Sequence, residues 1–308
     1  MRFPFAHTFS IVARDPQTGQ MGVAVQSHWF SVGSVVSWAE AGVGAVATQS
    51  LVDVRYGPLG LALMRAGFSA PQALAALLAA DDGRDLRQVA MVDAQGRVAV
   101  HTGSRCIPEA GHIVGEEFSV QANMMLGPEV WPAMAEAYRS TSGDLAERML
   151  AALEAGQAAG GDIRGQQSAC ILIVEARSTG RPWADTVMDL RVEDHPQPIA
   201  ELRRLVGLHR AYRAMNEGDE HLGKGETGQA LAAYRAADSL APDHEEIRLW
   251  HAVTLADAGR VEEALPLFRW VFDRNPLWAT LLERLRGVGL VGYDEETWER
   301  IRKLTAAE

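Results

Sequence analysis

The sequence predicts an α+β fold in two parts, a pair of β-sheets covered by helices and then an all-α region. Two observations carry this. Runs rich in β-branched residues and runs rich in Ala and Leu arrive in blocks: strands, helices, strands, helices, strands. A doubly wound parallel sheet would instead alternate strand and helix one by one. In Glu193-Asp194-His195-Pro196-Gln197-Pro198, two prolines and two acids interrupt all periodicity, and helical spacing follows to the end of the chain. The expected domains are therefore 1–197 and 198–308. A chain of 308 residues is long enough for each to bury its own core.

The elements follow in order. Thr8 to Arg14 and Gln20 to Ser27 are β-branched arms joined by Asp15-Pro16-Gln17-Thr18-Gly19, where Pro16 and Gly19 supply the fixed and the permissive backbone of a hairpin turn. Strands are expected at Val35 to Trp38 and Gly44 to Thr48, and helices at Pro58 to Ala66 and Pro71 to Ala80. Gln88 to Val92 and Arg97 to Thr102 flank the turn Asp93-Ala94-Gln95-Gly96, and Phe118 to Ala122 is a further short strand. Helices are expected at Pro128 to Tyr138 and at Asp144 to Ala158, with Asp144 as N-cap, before strands at Ala169 to Glu175 and Val187 to Val192.

Beyond the break, Gly225, Ala230, Leu231, Tyr234 and Pro242 recur 34 positions later as Gly259, Ala264, Leu265, Phe268 and Pro276. This period, with small residues where paired helices touch, an aromatic filling the gap and Pro closing the second helix, resembles the tetratricopeptide repeat over Ala211 to Trp278. Gly218 and Ala252 fall at the small-residue position of the two opening helices. The usual early aromatic is missing at Ala214 and Arg248, so the copies are degenerate. Two repeats are fewer than a stable solenoid needs, so Pro198 to Arg213 and Glu295 to Leu304 are expected to be helices covering the ends. Arg235, Arg248 and Arg269 either line a partner groove or pair with Glu245, Glu262 and Glu263.

Four separated blocks carry a second resemblance: Thr8 to Pro16, Gly22 to Ser27, Ala41 to Gln49 and Gly161 to Ala169. Together they resemble the bacterial family called domain of unknown function 1028, in register from Thr8 to about Pro198. That family is grouped with the N-terminal nucleophile hydrolases. The resemblance implies a four-layer α-β-β-α sandwich and, by superfamily analogy, hydrolysis of a small amide, peptide-like or ureido C–N bond. It implies no substrate identity.

Thr8 is the expected nucleophile. A Thr with a free backbone amine carries hydroxyl and base on one residue, since the α-amine titrates at roughly 7.7 to 8.0. Seven residues precede it, so the amine is free only after the His7–Thr8 bond is cut, by attack of the Thr8 hydroxyl on the preceding carbonyl. The alternative is an ordinary strand threonine. Asn123, just past a strand, is the expected oxyanion donor, or else it fastens its own turn. In Gly160 to Ser168, Asp162 and Arg164 either bind substrate, Arg164 gripping a carboxylate in two places, or lock their loop as a pair. Ser27 and His28 close the second strand and face Thr8 or water. Gln49 and Asp53 bracket the turn after the next strand and reach toward the same pocket. Asp189 and Arg191 lie on one side of a strand at spacing two and read as a structural pair.

A net charge of -11 with basic residues interleaved among acids excludes a nucleic-acid surface. Cys106 and Cys170 are the two cysteines and form no metal-ligand spacing, and no disulfide is expected. His101 and His112 lack zinc-binding companions, so neither metal nor cofactor is expected. The first seven residues hold one positive charge and no long apolar core, which predicts a cytoplasmic protein with no membrane segment. Three readings follow. The first is an amidohydrolase of a small-molecule substrate, its repeats serving homo-oligomer assembly or a protein partner. The second is a non-catalytic scaffold acting through the repeats. The third is a cell-wall-related binding protein, suggested by a C-terminal segment in some relatives and opposed by the absent secretion signal.

Overall fold

A computed structural model describes residues 5–6 and 8–304 of the chain. Met1 to Pro4, His7 and Thr305 to Glu308 lie outside the described residues, and with them the far side of the expected His7–Thr8 cut. The chain divides into two compact units, Met1–Leu205 and Val206–Glu308.

The first unit opens with β1 (Phe5–Ala6), β2 (Thr8–Arg14), β3 (Met21–Ser27), the short helix α1 (Gly33–Val36), β4 (Ser37–Glu40) and β5 (Gly44–Leu51). Helices α2 (Tyr56–Arg65) and α3 (Ala70–Ala79) follow, then β6 (Arg87–Asp93), β7 (Val98–Thr102), β8 (Gly111–Gly115) and β9 (Phe118–Ala122). Helices α4 (Val130–Ser140) and α5 (Leu145–Ala158) precede β10 (Ser168–Val174) and β11 (Thr186–Val192). Every strand pair is antiparallel. One sheet runs β1-β5-β6-β7 with β4 also on β5, and the other runs β11-β10-β3-β2-β9-β8. The sheets face each other through β2, β3, β5, β6 and β9, while α2 and α3 cover the first and α4 and α5 cover the second. This is the four-layer α-β-β-α sandwich that the sequence predicts.

Alternation within the strands decides what lies between the sheets. Val12, Met21, Val23, Val25, Ala45, Ala47, Ala90 and Val92 form one buried apolar cluster there. On the outer face of the first sheet, Val46, Val89 and Met91 pack against Leu61, Met64 and Leu74 of the covering helices. Local signals set the helix starts. Ser69 and Gln72 close a reciprocal capping box ahead of α3, and the Asp144 carboxylate accepts from Glu147 N at 2.8 Å, the expected N-cap.

The expected strand at Val35 to Trp38 is half wrong. Val32 to Val36 instead form one helical turn, with Val36 N donating to Val32 O at 3.1 Å and both side chains fully buried, so local helical bonding overrides β-branching and β4 begins at Ser37. Two strands were not expected. β8 is bounded by glycines and only partly buried, and β1 lies in a segment without a strand pattern.

Helix α6 (Pro198–Gly223) begins where the break in periodicity ends and runs across the division between the units, so the expected end-covering helix and the first repeat's opening helix are one element. The second unit continues with α7 (Thr227–Leu240), α8 (Glu245–Asp257), α9 (Val261–Arg274), α10 (Leu277–Gly287) and α11 (Glu295–Arg302). The repeat has a direct physical cause. Gly225 and Gly259, 34 residues apart, both adopt φ 74°, the left-handed turn between paired helices that glycine takes without strain. At Gly218 a Cβ would come within 2.7 Å of the Tyr234 ring, so the aromatic fills the space that the small residue leaves. Helix α11 packs on α9 and buries Trp298 and Ile301, covering the end of the array. The arginine pairings differ from expectation. Arg248 bonds Asp238 at 2.9 Å and lies 3.9 Å from the Trp270 ring centre, while Glu245 accepts from Trp278 Nε1, Glu262 from Arg300 and Glu263 from Arg260.

Candidate functional site

Thr8 opens β2, and its register explains its neighbours: Ser27 of β3 stands opposite it and Ser168 of β10 opposite Ser27. Thr8 is fully buried, and its Oγ1 donates to Ser27 Oγ at 3.2 Å. Three donors converge on the Thr8 carbonyl oxygen: the Asn123 backbone N at 3.1 Å, Gln49 Nε2 at 3.2 Å and Asn123 Nδ2 at 3.4 Å.

Behind these groups lies a polar cluster that fills one end of the space between the sheets. Gln88 Oε1 accepts from Gln49 Nε2 at 2.7 Å and from Asn123 Nδ2 at 2.9 Å. Ser10 Oγ donates to Gln49 Oε1 at 2.6 Å and accepts from Gln121 Nε2 at 2.6 Å, and Ser119 Oγ donates to Gln121 Oε1 at 3.0 Å. Gln88 Nε2 reaches Thr102 Oγ1 at 2.9 Å, whose hydroxyl lies 2.9 Å from His112 Nδ1. Burial, and then the neighbouring His101, lower the His112 pKa. Ser10, Gln49, Gln88, Ser119, Gln121 and Asn123 have no exposed surface. Burying so many amides is costly unless each is paired, and here the pairing is dense.

The structure thus brings together Thr8, Ser27, Gln49 and Asn123 of the residues singled out by sequence. Asp162 and Arg164 pair within the adjoining loop. The Asp162 carboxylate accepts from Arg164 Nε at 3.0 Å, from Arg164 Nη2 at 2.7 Å and from the His28 backbone N at 3.2 Å, so the guanidinium fork faces Asp162. Asp53 does not reach the cluster: its carboxylate is bound by Arg55 Nε and Nη2, the latter at 2.7 Å, and that hydrogen bonding holds its pKa below the usual carboxylate value. Asp189 and Arg191 pair at 2.8 Å as expected. Both cysteines are free and buried. Burial raises the Cys106 pKa and pushes Cys170 to about 12, so neither is a thiolate at neutral pH.

Ser10, Gln88, Ser119 and Gln121 were missed. Ser119, Gln121 and Asn123 alternate with Phe118, Val120 and Ala122, a pattern that reads as a strand with one wet face. A large concavity, about 770 Å³, lies at the opposite end of β2 by Arg14, Thr18 and Gly42. Its Arg14 and Arg65 are neutralised by Glu117 and Glu40, and it touches none of the cluster.

Fold and site together define an antiparallel α-β-β-α sandwich with a threonine-centred polar end, joined to helical repeats. The chain belongs to the family described as family of unknown function DUF1028, whose family model matches residues 8–202. A tetratricopeptide repeat model matches residues 221–285. Among solved structures, the chain is similar to protein SPO2555 from Silicibacter pomeroyi, of the same family, at 32% identity and TM-score 0.59, over 65% of this chain and 85% of that one. Anbu (ancestral beta-subunit) from Yersinia bercovieri is 13% identical with TM-score 0.33, over 65% of this chain and 93% of that one, a likeness too slight to carry argument. No curated protein matches the chain. Among the described residues no helix is long and apolar enough to cross a membrane.

Proposed function

We propose that the sandwich is an N-terminal nucleophile amidohydrolase that cleaves a small amide, peptide-like or ureido C–N bond with Thr8. The observation that carries this reading is the Thr8 environment. A buried hydroxyl faces Ser27, and its residue's carbonyl is held by three N–H donors in a polar cluster that the packing of two sheets does not require. In the first step the Thr8 hydroxyl attacks the His7 carbonyl, the C–N bond to Thr8 breaks, and water hydrolyses the resulting ester. Residues 1–7 leave with a new carboxylate, and Thr8 keeps a free amine. The same hydroxyl then attacks a substrate carbonyl, the amine takes its proton and passes it to the leaving nitrogen, and water releases the acyl group. Asn123 Nδ2 is directed at Gln88 and at Thr8 in the uncut chain, so donation to an oxyanion requires it to release one of these bonds.

Intact-mass spectrometry tests this reading. Wild-type protein should begin at Thr8 and Thr8→Ala should stay full length. A wild-type chain that keeps residues 1–7 under every condition tried favours the second reading, a scaffold acting through its helical repeats, which draws support from the complete burial of Thr8 in the uncut chain.

A further inference from the structure

The hub of the Thr8 cluster is a residue with no direct bond to Thr8. Gln88 Oε1 takes one proton from each of Gln49 and Asn123, at 2.7 and 2.9 Å, and its Nε2 donates to Ala122 O at 2.8 Å, Thr102 Oγ1 at 2.9 Å and Gly111 O at 3.2 Å. A primary amide can turn over in place, exchanging N and O without changing shape. Gln88 cannot do so here. Exchange would set its NH2 against two other NH2 groups and its oxygen against two carbonyls. The constraint passes outward: with one N–H of each engaged by Gln88, the remaining N–H of Gln49 is shared between the Thr8 carbonyl at 3.2 Å and the Gln121 carbonyl at 3.4 Å, and that of Asn123 falls toward the Thr8 carbonyl at 3.4 Å. Ser10 Oγ fixes the other end of the Gln49 amide at 2.6 Å.

We infer that Gln88 is the positioning residue of this site, orienting the amides of Gln49 and Asn123 so that they clamp the Thr8 carbonyl. Clamping that carbonyl fixes the peptide plane after Thr8, and with it the direction in which the hydroxyl leaves the backbone toward Ser27. Packing does not ask for an amide at this place, because the next inward positions on β5 and β6 are Ala47 and Ala90. The inference rests on the reading of Thr8 as nucleophile, and two readouts separate the two ideas.

Thr8-Phe9 is the one Thr-Phe pair in the sequence, so labelling Thr carbonyl carbon with 13C and Phe nitrogen with 15N isolates the Thr8 carbonyl in an NMR spectrum, wild type and variants being compared in the same cut or uncut form. In Gln88→Met the Thr8 carbonyl resonance should move upfield as donors are lost. Gln88→Glu, recorded at acid pH where the protonated carboxyl keeps both an acceptor oxygen and a donor toward the Ala122 carbonyl, should bring it back toward its wild-type position. Loss of residues 1–7 should slow roughly tenfold in Gln88→Met, the scale of one misdirected hydrogen bond, while the melted fraction at the assay temperature stays negligible. A folded Gln88→Met with an unmoved resonance, or with wild-type cutting, overturns the inference. If the wild type is never cut, the nucleophile reading falls and the resonance alone decides Gln88. Should Gln88→Met not fold, Gln49→Met removes one donor and leaves the hub. It should give a smaller shift of the same sign, and no shift overturns the clamp.

Discussion

The space between the two sheets is built in two ways. Toward the Arg14 end of β2 it is filled mainly by Val12, Met21, Val23, Val25, Ala45 and Ala47. Toward the Thr8 end the same inward positions of the same strands become Ser10, Ser27, Gln49 and Gln88, joined by Gln121 of β9 and Asn123 just past its end. Backbone pairing continues unbroken through both halves, from Phe9↔Ala122 to Ala13↔Phe118 and from Thr8↔Ser27 to Arg14↔Met21. Hydrogen bonding of the sheets is therefore indifferent to the change, and only the side chains differ. One half stabilises by removing apolar area from water. The other retains amides whose net contribution is small and whose loss singly is expensive, an arrangement suited to orienting a group rather than to holding sheets together.

The sharpest way to break this comparison is to damage the apolar half and watch Thr8. Met21→Ala removes a fully buried side chain and should cost about 2–5 kcal/mol of stability in the first unit. Below its melting transition the variant should still lose residues 1–7 at the wild-type rate. Chemical denaturation followed by intact-mass timing checks both. Slowed cutting in a fully folded Met21→Ala would mean that the halves are not separable.

Much of this was legible before the structure. The block order of strands and helices, with the family resemblance, predicted the four layers, and the 34-residue recurrence predicted helical repeats with small residues at the helix contacts, one of which, Gly218, lies beside Tyr234. Strand-end position picked out Ser27, Gln49 and Asn123, because a polar residue closing an apolar strand stands out, while Thr8 needed the family resemblance as well. Ser10, Gln88 and Gln121 did not stand out, since a polar residue alternating with apolar ones is the ordinary mark of a wet face. Whether that face is wet depends on a second sheet that no local pattern encodes. Asp53 failed for the opposite reason: its position was right, but Arg55, two residues on, holds its carboxylate.

A smaller effect, and a more selective one, is expected in the polar half. Ser10→Ala leaves Gln49 Oε1 without its Ser10 donor and takes from Gln121 Nε2 its Ser10 acceptor, which should cost about 1–3 kcal/mol for each group left unpaired. The Gln49 amide then loses the bond that fixes its far end, so removal of residues 1–7 should also slow. Adding Gln121→Met to Ser10→Ala replaces one orphaned amide by an apolar chain of similar length and should recover part of the stability without restoring the cutting rate. Recovery of both together would show that the cluster acts through stability alone.

The smallest effect is expected just outside the cluster, at Asp53, and it marks where the polar half ends. Hydrogen bonds from Arg55 hold the Asp53 pKa below its value in the unfolded chain, about 3.9. A depressed folded-state pKa gives a contribution to stability that is fully present above the unfolded value and is lost as pH falls through the folded one. In wild-type protein this adds to the acid-side decline of the melting temperature below about pH 4. Asp53→Asn removes that contribution, so the variant should melt slightly lower near neutral pH and should decline less steeply on the acid side. The Arg55 side chain is 71% exposed, which screens the pair and keeps the change small. Cutting at Thr8 should be unaffected, because the Asp53 carboxylate is bound by Arg55 and meets none of the amides that hold Thr8. Melting curves from pH 2.5 to 7 and intact-mass timing on the same samples decide it. An unchanged acid slope would show that Arg55 does not stabilise the carboxylate, and slowed cutting would extend the polar cluster past the end of β5 to Asp53.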